Sequence, residues 1–167
     1  TNISILGCGW LGIPLAKSLI NLGFKVKGST TTKNKLEQLK ALDIQPFLIS
    51  ISEIRNSDFF NSEILIVAIT SKEIKHYQSL IQQIEKSTIK KVIFISSTSV
   101  YPSNNNTVNE LSITNNSDLV TIEKLFRNSS IETTILRFAG LVGYSRNPSK
   151  FHKKDALIKN PEGFINL

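Results

Sequence analysis

Residues 3–12 read ISILGCGWLG, an apolar run that passes directly into three glycines spaced G-x-G-x-x-G at Gly7, Gly9 and Gly12. A strand followed at once by such a loop and then by a helix has a physical reading. Gly7 permits the tight turn off the strand, Gly9 lets backbone approach a diphosphate with no Cβ in the way, and Gly12 lets the helix pack closely on the strand. The N-terminus of that helix offers free N–H groups and partial positive charge to phosphate oxygens. Placed strand–turn–helix near the start of a chain, the loop predicts a dinucleotide site.

The rest of the sequence supplies the matching scaffold. Apolar runs alternate with helix-period segments, the pattern of a βαβ protein. Strands are expected at 3–6, 24–28, 44–51, 64–69, 91–96 and 133–138, and helices at 10–22, 33–42, 73–85 and from Asp118, which is expected to cap the last one. The run ILIVAI at 64–69 has no polar alternation, so it is expected to be a central parallel strand buried on both faces. Residues 102–116, rich in Asn, Ser and Thr, are expected to form a loop, and the tail beyond Gly143 to be irregular with a basic patch. The fold class is α/β: a doubly wound parallel sheet of the NAD(P)-binding Rossmann type. Residues 1–167 are read as one domain, with 144–167 as the start of a truncated or minimal substrate-binding region.

Composition narrows the classes. One cysteine in 167 residues gives no internal disulfide framework and fits a cytoplasmic protein. No apolar run reaches the ~18–20 residues that cross a bilayer, so no membrane partner is expected. The net charge of +7 comes from scattered lysines, Lys27 among them, without aromatic interleaving. It is read as a solvated basic surface that attracts phosphorylated ligands rather than as a nucleic-acid face. Cys8 is expected to act as a small residue that fits the turn. His76 and His152 lack neighbours of metal-ligand spacing and are expected to be solvated, and no metal motif is present.

The cofactor's second phosphate is read from the end of the second strand. NAD-specific loops carry an acid there for the ribose 2′-OH. Here the sequence is Gly28-Ser29-Thr30-Thr31-Thr32-Lys33. Hydroxyls and a cation in that place favour NADP, with NAD as the alternative, and make Ser29, Thr30, Thr31 and Lys33 the candidate readers of a 2′-phosphate. Trp10 and Leu11 in the glycine loop, Ile69 and Thr70 at the end of the buried run, and Ser96 at the end of the fifth strand complete the cofactor-binding set.

A second motif speaks to chemistry. FISSTSVYP at 94–102 resembles the SSxxVYG stretch of extended short-chain dehydrogenases/reductases, the family of nucleotide-sugar epimerases and dehydratases. Matched residue by residue, Ser97 falls on the catalytic serine and Tyr101 on the tyrosine of the VY pair. Glu110 resembles the acidic residue of the following loop. LRFAGLVG at 136–143 is similar to LRPxxVYG, which in that family passes beneath the nicotinamide. Together with the glycine loop and GSTTT at 28–32, the combination most resembles the atypical branch of sugar-nucleotide epimerase-like proteins, over nearly the whole chain.

The resemblance implies an NAD(P)-dependent, epimerase/dehydratase-like oxidoreductase acting on a small or nucleotide-sugar substrate. It also exposes a departure. The family's Tyr-x-x-x-Lys pair, aligned through Glu123, falls on Asn115 and Leu119, neither of which does that chemistry. Tyr101 is therefore the candidate substitute acid beside Ser97, with Lys124 nearby. Arg137, Tyr144 and Arg146 are candidate rim contacts for an anionic substrate. Two other classes compete: a non-catalytic NADP-binding sensor or assembly module, and the nucleotide-binding half of a hydroxyacid-type dehydrogenase, which SSTSVY argues against.

Overall fold

A computed structural model describes residues 1–55, 57–103 and 106–147; His152, the lysines beyond it and the final NPEGFINL stretch lie outside the described residues. Six strands form one sheet: β1 (Asn2–Leu6), β2 (Lys25–Thr30), β3 (Gln45–Leu48), β4 (Ile64–Val67), β5 (Lys91–Ser97) and β6 (Glu132–Phe138). Their order is β3-β2-β1-β4-β5-β6 and every pairing is parallel. The chain winds outward from β1 in one direction, then crosses back to β4 and winds the other way. That reversal puts a crevice between the C-terminal ends of β1 and β4.

Among the described residues four helices cover the faces: α1 (Gly12–Asn21), α2 (Leu36–Lys40), α3 (Ile74–Glu85) and α4 (Asp118–Arg127). Alternation along the strands divides the core between the two faces. Ile3 and Ile5 of β1, Val26 of β2 and Ile66 of β4 pack with Ala16 and Leu39. Leu65 and Val67 of β4, with Val92 and Phe94 of β5, pack against Tyr77, Leu80, Ile84, Ile122 and Phe126. The ILIV strand is thus buried from both sides, as its unbroken apolar sequence predicts. Phe94 stacks on Phe126 with ring centroids 4.7 Å apart, and Tyr77 meets both edge-on.

Helix ends explain the connections. Gly23, at φ +86, ends α1: its N–H donates to the Ile20 carbonyl and the Phe24 N–H to Leu19, a left-handed stop that glycine adopts without strain. At α4 the expected cap moves by one residue. Ser117 holds the cap position without a side-chain bond, and Asp118 lies in the first turn, where its charge favours the helix dipole.

Lys27 is not part of the solvated surface. It is 8% exposed, on the same sheet face as Ser4. Its ammonium donates to the Asp58 carboxylate at 3.0 Å and to the Asn61 and Asp58 carbonyls, while Ser4 Oγ donates to the Phe59 carbonyl. These bonds staple the 58–61 turn beneath β1 and β2, and the Lys27 ammonium, by hydrogen bond and by charge, holds the Asp58 carboxyl below its ordinary value. His76 is half-buried, with its Nδ1 enclosed and without a hydrogen-bond partner among the described residues.

Phe126 is the keystone of the α4 face, 1% exposed and stacked on Phe94. Phe126→Ala is expected to cost about 3–5 kcal/mol in urea unfolding, the range for a buried phenylalanine truncation. A loss under about 1 kcal/mol would contradict this packing.

Candidate functional site

The glycine loop is built by backbone contact. Gly7 sits at φ +103, and a Cβ there would lie 2.6 Å from the Ala68 carbonyl oxygen. A Cβ on Gly12 would lie 2.2 Å from the Gly7 oxygen, so the helix packs on the turn itself more than on the strand. At Gly9 a Cβ would meet nothing within 4 Å, which leaves an open approach beside the loop. Register explains what holds the turn: Ile5 pairs with Gly28, which brings Ser29 alongside Leu6 and Gly7. Ser29 Oγ accepts from the Gly7 N–H at 2.9 Å, and its carbonyl accepts from the Cys8 N–H at 2.7 Å.

That pin corrects the expectation for Ser29. The side chain is 1% exposed and its oxygen braces the loop by accepting from the Gly7 N–H, so burial keeps its hydroxyl from a ribose phosphate. Cys8 packs across Gly28, where an added Cβ would lie 2.5 Å from its sulfur. Burial pushes the Cys8 thiol up to about 11, against a weaker lowering by the Ser29 backbone, so it stays protonated at neutral pH.

A cleft of about 660 Å³ opens above this loop, at the C-terminal ends of the strands. It gathers Gly7, Gly9, Trp10 and Leu11 after β1, Ser29, Thr30 and Thr31 at β2, Ile69 and Thr70 after β4, and Ser96 and Ser97 at β5. Gly12 and Lys33 do not line it; Lys35, two residues further on, does, with Thr32. The Thr30 hydroxyl is partly occupied, accepting from the Thr32 N–H at 3.1 Å. Among the described residues Lys35, Lys72 and Arg146 line the cleft and no carboxylate does, so its electrostatic preference is for anions. Tyr77 forms part of its floor; its hydroxyl donates to the Ser71 carbonyl, and burial raises it to about 12, so it remains neutral.

The catalytic candidates separate. Ser97 lines the cleft, and its Oγ accepts from the Ser99 N–H at 3.1 Å. Tyr101 does not line it. Its ring lies under Arg137, 4.9 Å from the guanidinium, its hydroxyl donates to the Asn109 carbonyl, and the same oxygen accepts from Arg137 at 2.8 Å. Tyr101 is therefore corrected from acid to a tie between Asn109 and Arg137. The two positions of the missing pair are also placed. Asn115 ties the loop to the Thr98–Val100 turn through Ser99 and Val100, while Leu119 puts an apolar side chain into the cleft. Glu110 is exposed, and Lys124 does not reach the cleft.

Behind Ser96 lies a buried ion pair that sequence reasoning used only as an alignment anchor. The Glu123 carboxylate, 1% exposed, takes two bonds from Arg137 at 2.9 and 2.6 Å and one from Ser96 Oγ at 2.6 Å, with Arg127 at 3.4 Å. Burial pushes the Glu123 carboxyl upward. The Arg137 and Ser96 hydrogen bonds and the two arginine charges outweigh it and hold the group below its ordinary value of 4.5. Arg137 is shifted upward, chiefly by its bond to Glu123. The rim role expected for Arg137 is thereby corrected: it is committed to Glu123. The signal available in sequence was a Glu on the inner stripe of α4 opposite an Arg in a strand.

The comparisons with known proteins agree on the architecture. A family profile described as the NAD binding domain of 6-phosphogluconate dehydrogenase matches residues 2–121. Protein YeeZ of Escherichia coli strain K12 is 31% identical over 170 residues, covering 90% of this chain and 62% of that protein. The chain thus spans less than two thirds of the curated relatives it matches. Among solved structures, UDP-glucuronic acid 4-epimerase from Bacillus cereus in complex with NAD superposes with a TM-score of 0.65 at 20% identity, covering 83% of this chain and 56% of that one. A short-chain dehydrogenase/reductase superfamily protein from Agrobacterium tumefaciens with bound NAD gives 0.64 at 17% identity, covering 83% and 49%. Among the described residues no helix is long and apolar enough to cross a membrane.

Two outcomes check this geometry. Gly9→Val is expected to leave the melting temperature within about a degree or two, because its Cβ enters open space, while abolishing dinucleotide binding; unchanged titration of cofactor fluorescence would contradict the loop assignment. Glu123→Gln leaves Arg137 buried and unpaired and is expected to cost about 3–5 kcal/mol at neutral pH. Because the folded value is depressed, the carboxylate's contribution is complete above about 4.5 and is lost as pH falls through the folded value. The gap between wild type and variant in urea unfolding should therefore narrow below about pH 4.5; a gap that stays constant would contradict the ion pair's role.

Proposed function

The chain belongs to this family of NAD-binding domains, and from that premise we propose that it is the nucleotide-binding part of an NAD(P)-dependent oxidoreductase of the epimerase/dehydratase kind. On this reading it is a cytoplasmic protein that prefers NADP and acts on a small or nucleotide-sugar substrate. The observation that carries the reading is the cleft itself: a backbone-built glycine loop and Ser97 share one crevice whose lining, among the described residues, holds three cations and no acid. The residues present fit a dinucleotide. Gly9 leaves its side of the loop open, and Thr31, Thr32 and Lys35 line the β2 end without a carboxylate to repel a 2′-phosphate.

A bound nicotinamide would supply hydride donor or acceptor chemistry. This chain's residues would position and polarise. Ser97 Oγ uses a lone pair on the Ser99 N–H and keeps its proton to donate to a substrate carbonyl or hydroxyl. Tyr101 has no such freedom, since its proton is directed to Asn109. Leu119 brings no charge to the place where the resemblance expects lysine. General acid–base help is worth about 10²–10⁴ in rate, so turnover by this chain should be slower than that of relatives with the pair by about this factor.

The placement of Tyr101 and Leu119 also favours a second reading, an NADP-binding module without catalysis. Oxidation of NADPH against nucleotide sugars and small carbonyl compounds separates the two: turnover lost in Ser97→Ala but retained in Tyr101→Phe supports the enzyme with Ser97 as donor. Tight NADP binding with no turnover on the panel supports the module. For the cofactor, calorimetry should give NADP at least about tenfold tighter than NAD, since one or two charge-assisted bonds are worth ~1.5–3 kcal/mol each. Lys35→Ala should narrow that ratio more than Lys33→Ala; equal affinities for NADP and NAD in the wild type would remove the NADP preference.

A further inference from the structure

The turn after β6 carries a feature that the fold does not require. Gly143 and Arg146 exchange both backbone hydrogen bonds, at 2.9 and 2.8 Å, closing a two-residue turn with Gly143 at φ +140 and Tyr144 at φ +46. A left-handed conformation is costly for a bulky residue. Tyr144 is 84% exposed, so packing of its ring does not offset that cost. What the turn achieves is the placement of Arg146, whose guanidinium carbon lies 4.3 Å from the centroid of the Trp10 ring and which lines the cleft.

Both members of this contact are incompletely used. No carboxylate pairs with Arg146 among the described residues. The Trp10 indole N–H is enclosed and has no hydrogen-bond partner among them. Trp10 directly follows Gly9, the open position of the loop, so a cation and an unpaired donor stand beside the point of closest backbone approach. An aromatic face holds a guanidinium without consuming its N–H fork, and that fork matches two oxygens of a phosphate group.

We propose that Arg146, resting on the indole of Trp10, is a ligand-binding residue that caps the diphosphate of a dinucleotide on the glycine loop from the side opposite the backbone N–H groups. The proposal rests on the dinucleotide reading and assigns to the cofactor an arginine that sequence placed at the substrate rim. Trp10 is the chain's only tryptophan, so its emission reports on this contact directly.

The test compares wild type, Arg146→Ala and Arg146→Lys by calorimetry and Trp10 fluorescence, with NADP, adenosine (which lacks the diphosphate) and UDP-glucose as probes. Arg146→Ala should weaken NADP by about tenfold or more, leave adenosine unchanged and reduce the emission change on adding NADP. Arg146→Lys should recover only part, because an ammonium lacks the fork. Circular dichroism should show both variants folded, since Arg146 is exposed. Equal NADP affinity in wild type and Arg146→Ala would overturn the proposal, as would loss of UDP-glucose binding alone, which would assign Arg146 to the substrate. An equal loss for adenosine would also overturn it, by showing general damage to the cleft. Failure of the wild type to bind NADP would remove the underlying reading and the proposal with it.

Discussion

The carbonyl of Gly7 approaches Gly12 so closely that even a methyl group at position 12 would sit 2.2 Å from it. That contact requires glycine at position 12, and much else follows from it. It aims the first turn of α1 at the end of β1, which directs unpaired backbone N–H groups into the crevice between β1 and β4. Gly7 itself is pressed against the Ala68 carbonyl at the end of β4, and Ser29 pins Gly7 and Cys8 to the end of β2. Three neighbouring strands therefore meet the loop through backbone and one serine hydroxyl. Side chains are excluded from the place where a diphosphate lies in such folds.

The other side of the cleft is organised by charge. Glu123 and Arg137 form an ion pair that Ser96 extends to β5 and Tyr101 extends to the loop beyond it. Burying two charges is costly, and a pair of this kind persists where its remaining hydrogen-bonding capacity is met. Here it is met by Ser96, Arg127 and Tyr101. The consequence for chemistry is direct. The same network that fixes the end of β5, and so the backbone that carries Ser97, draws the tyrosine hydroxyl away from the cleft.

Much of the fold was legible because its signals are local or periodic. The unbroken ILIV run could only be a strand covered on both faces, and the glycine spacing followed by a Leu-rich helix gave the first βα unit. The six strands and four helices fall within a few residues of their expected ranges. What was not legible depended on register and side-chain direction. Ser29 reads as a phosphate donor until the pairing of Ile5 with Gly28 puts it beside Gly7. Lys33 reads as the cation at this end of the cleft, but the short turn preceding α2 places Lys35 there instead. Lys27 reads as a surface lysine because the carbonyls that receive it lie more than thirty residues away in sequence. Tyr101 was placed by its motif, but Arg137 determines where its hydroxyl points.

The central claim is that the backbone-built loop between β1 and α1 holds a dinucleotide diphosphate. Amide chemical shifts of the isotope-labelled chain, followed during titration with NADP, test it most directly. The account predicts the largest shifts at the backbone N–H groups of Trp10 and Leu11, with a second set at Thr31, Thr32 and Lys35; the Gly9 N–H already donates to the Gly7 carbonyl at 2.9 Å. Saturable shifts confined to other parts of the chain, or none at millimolar NADP, would contradict it.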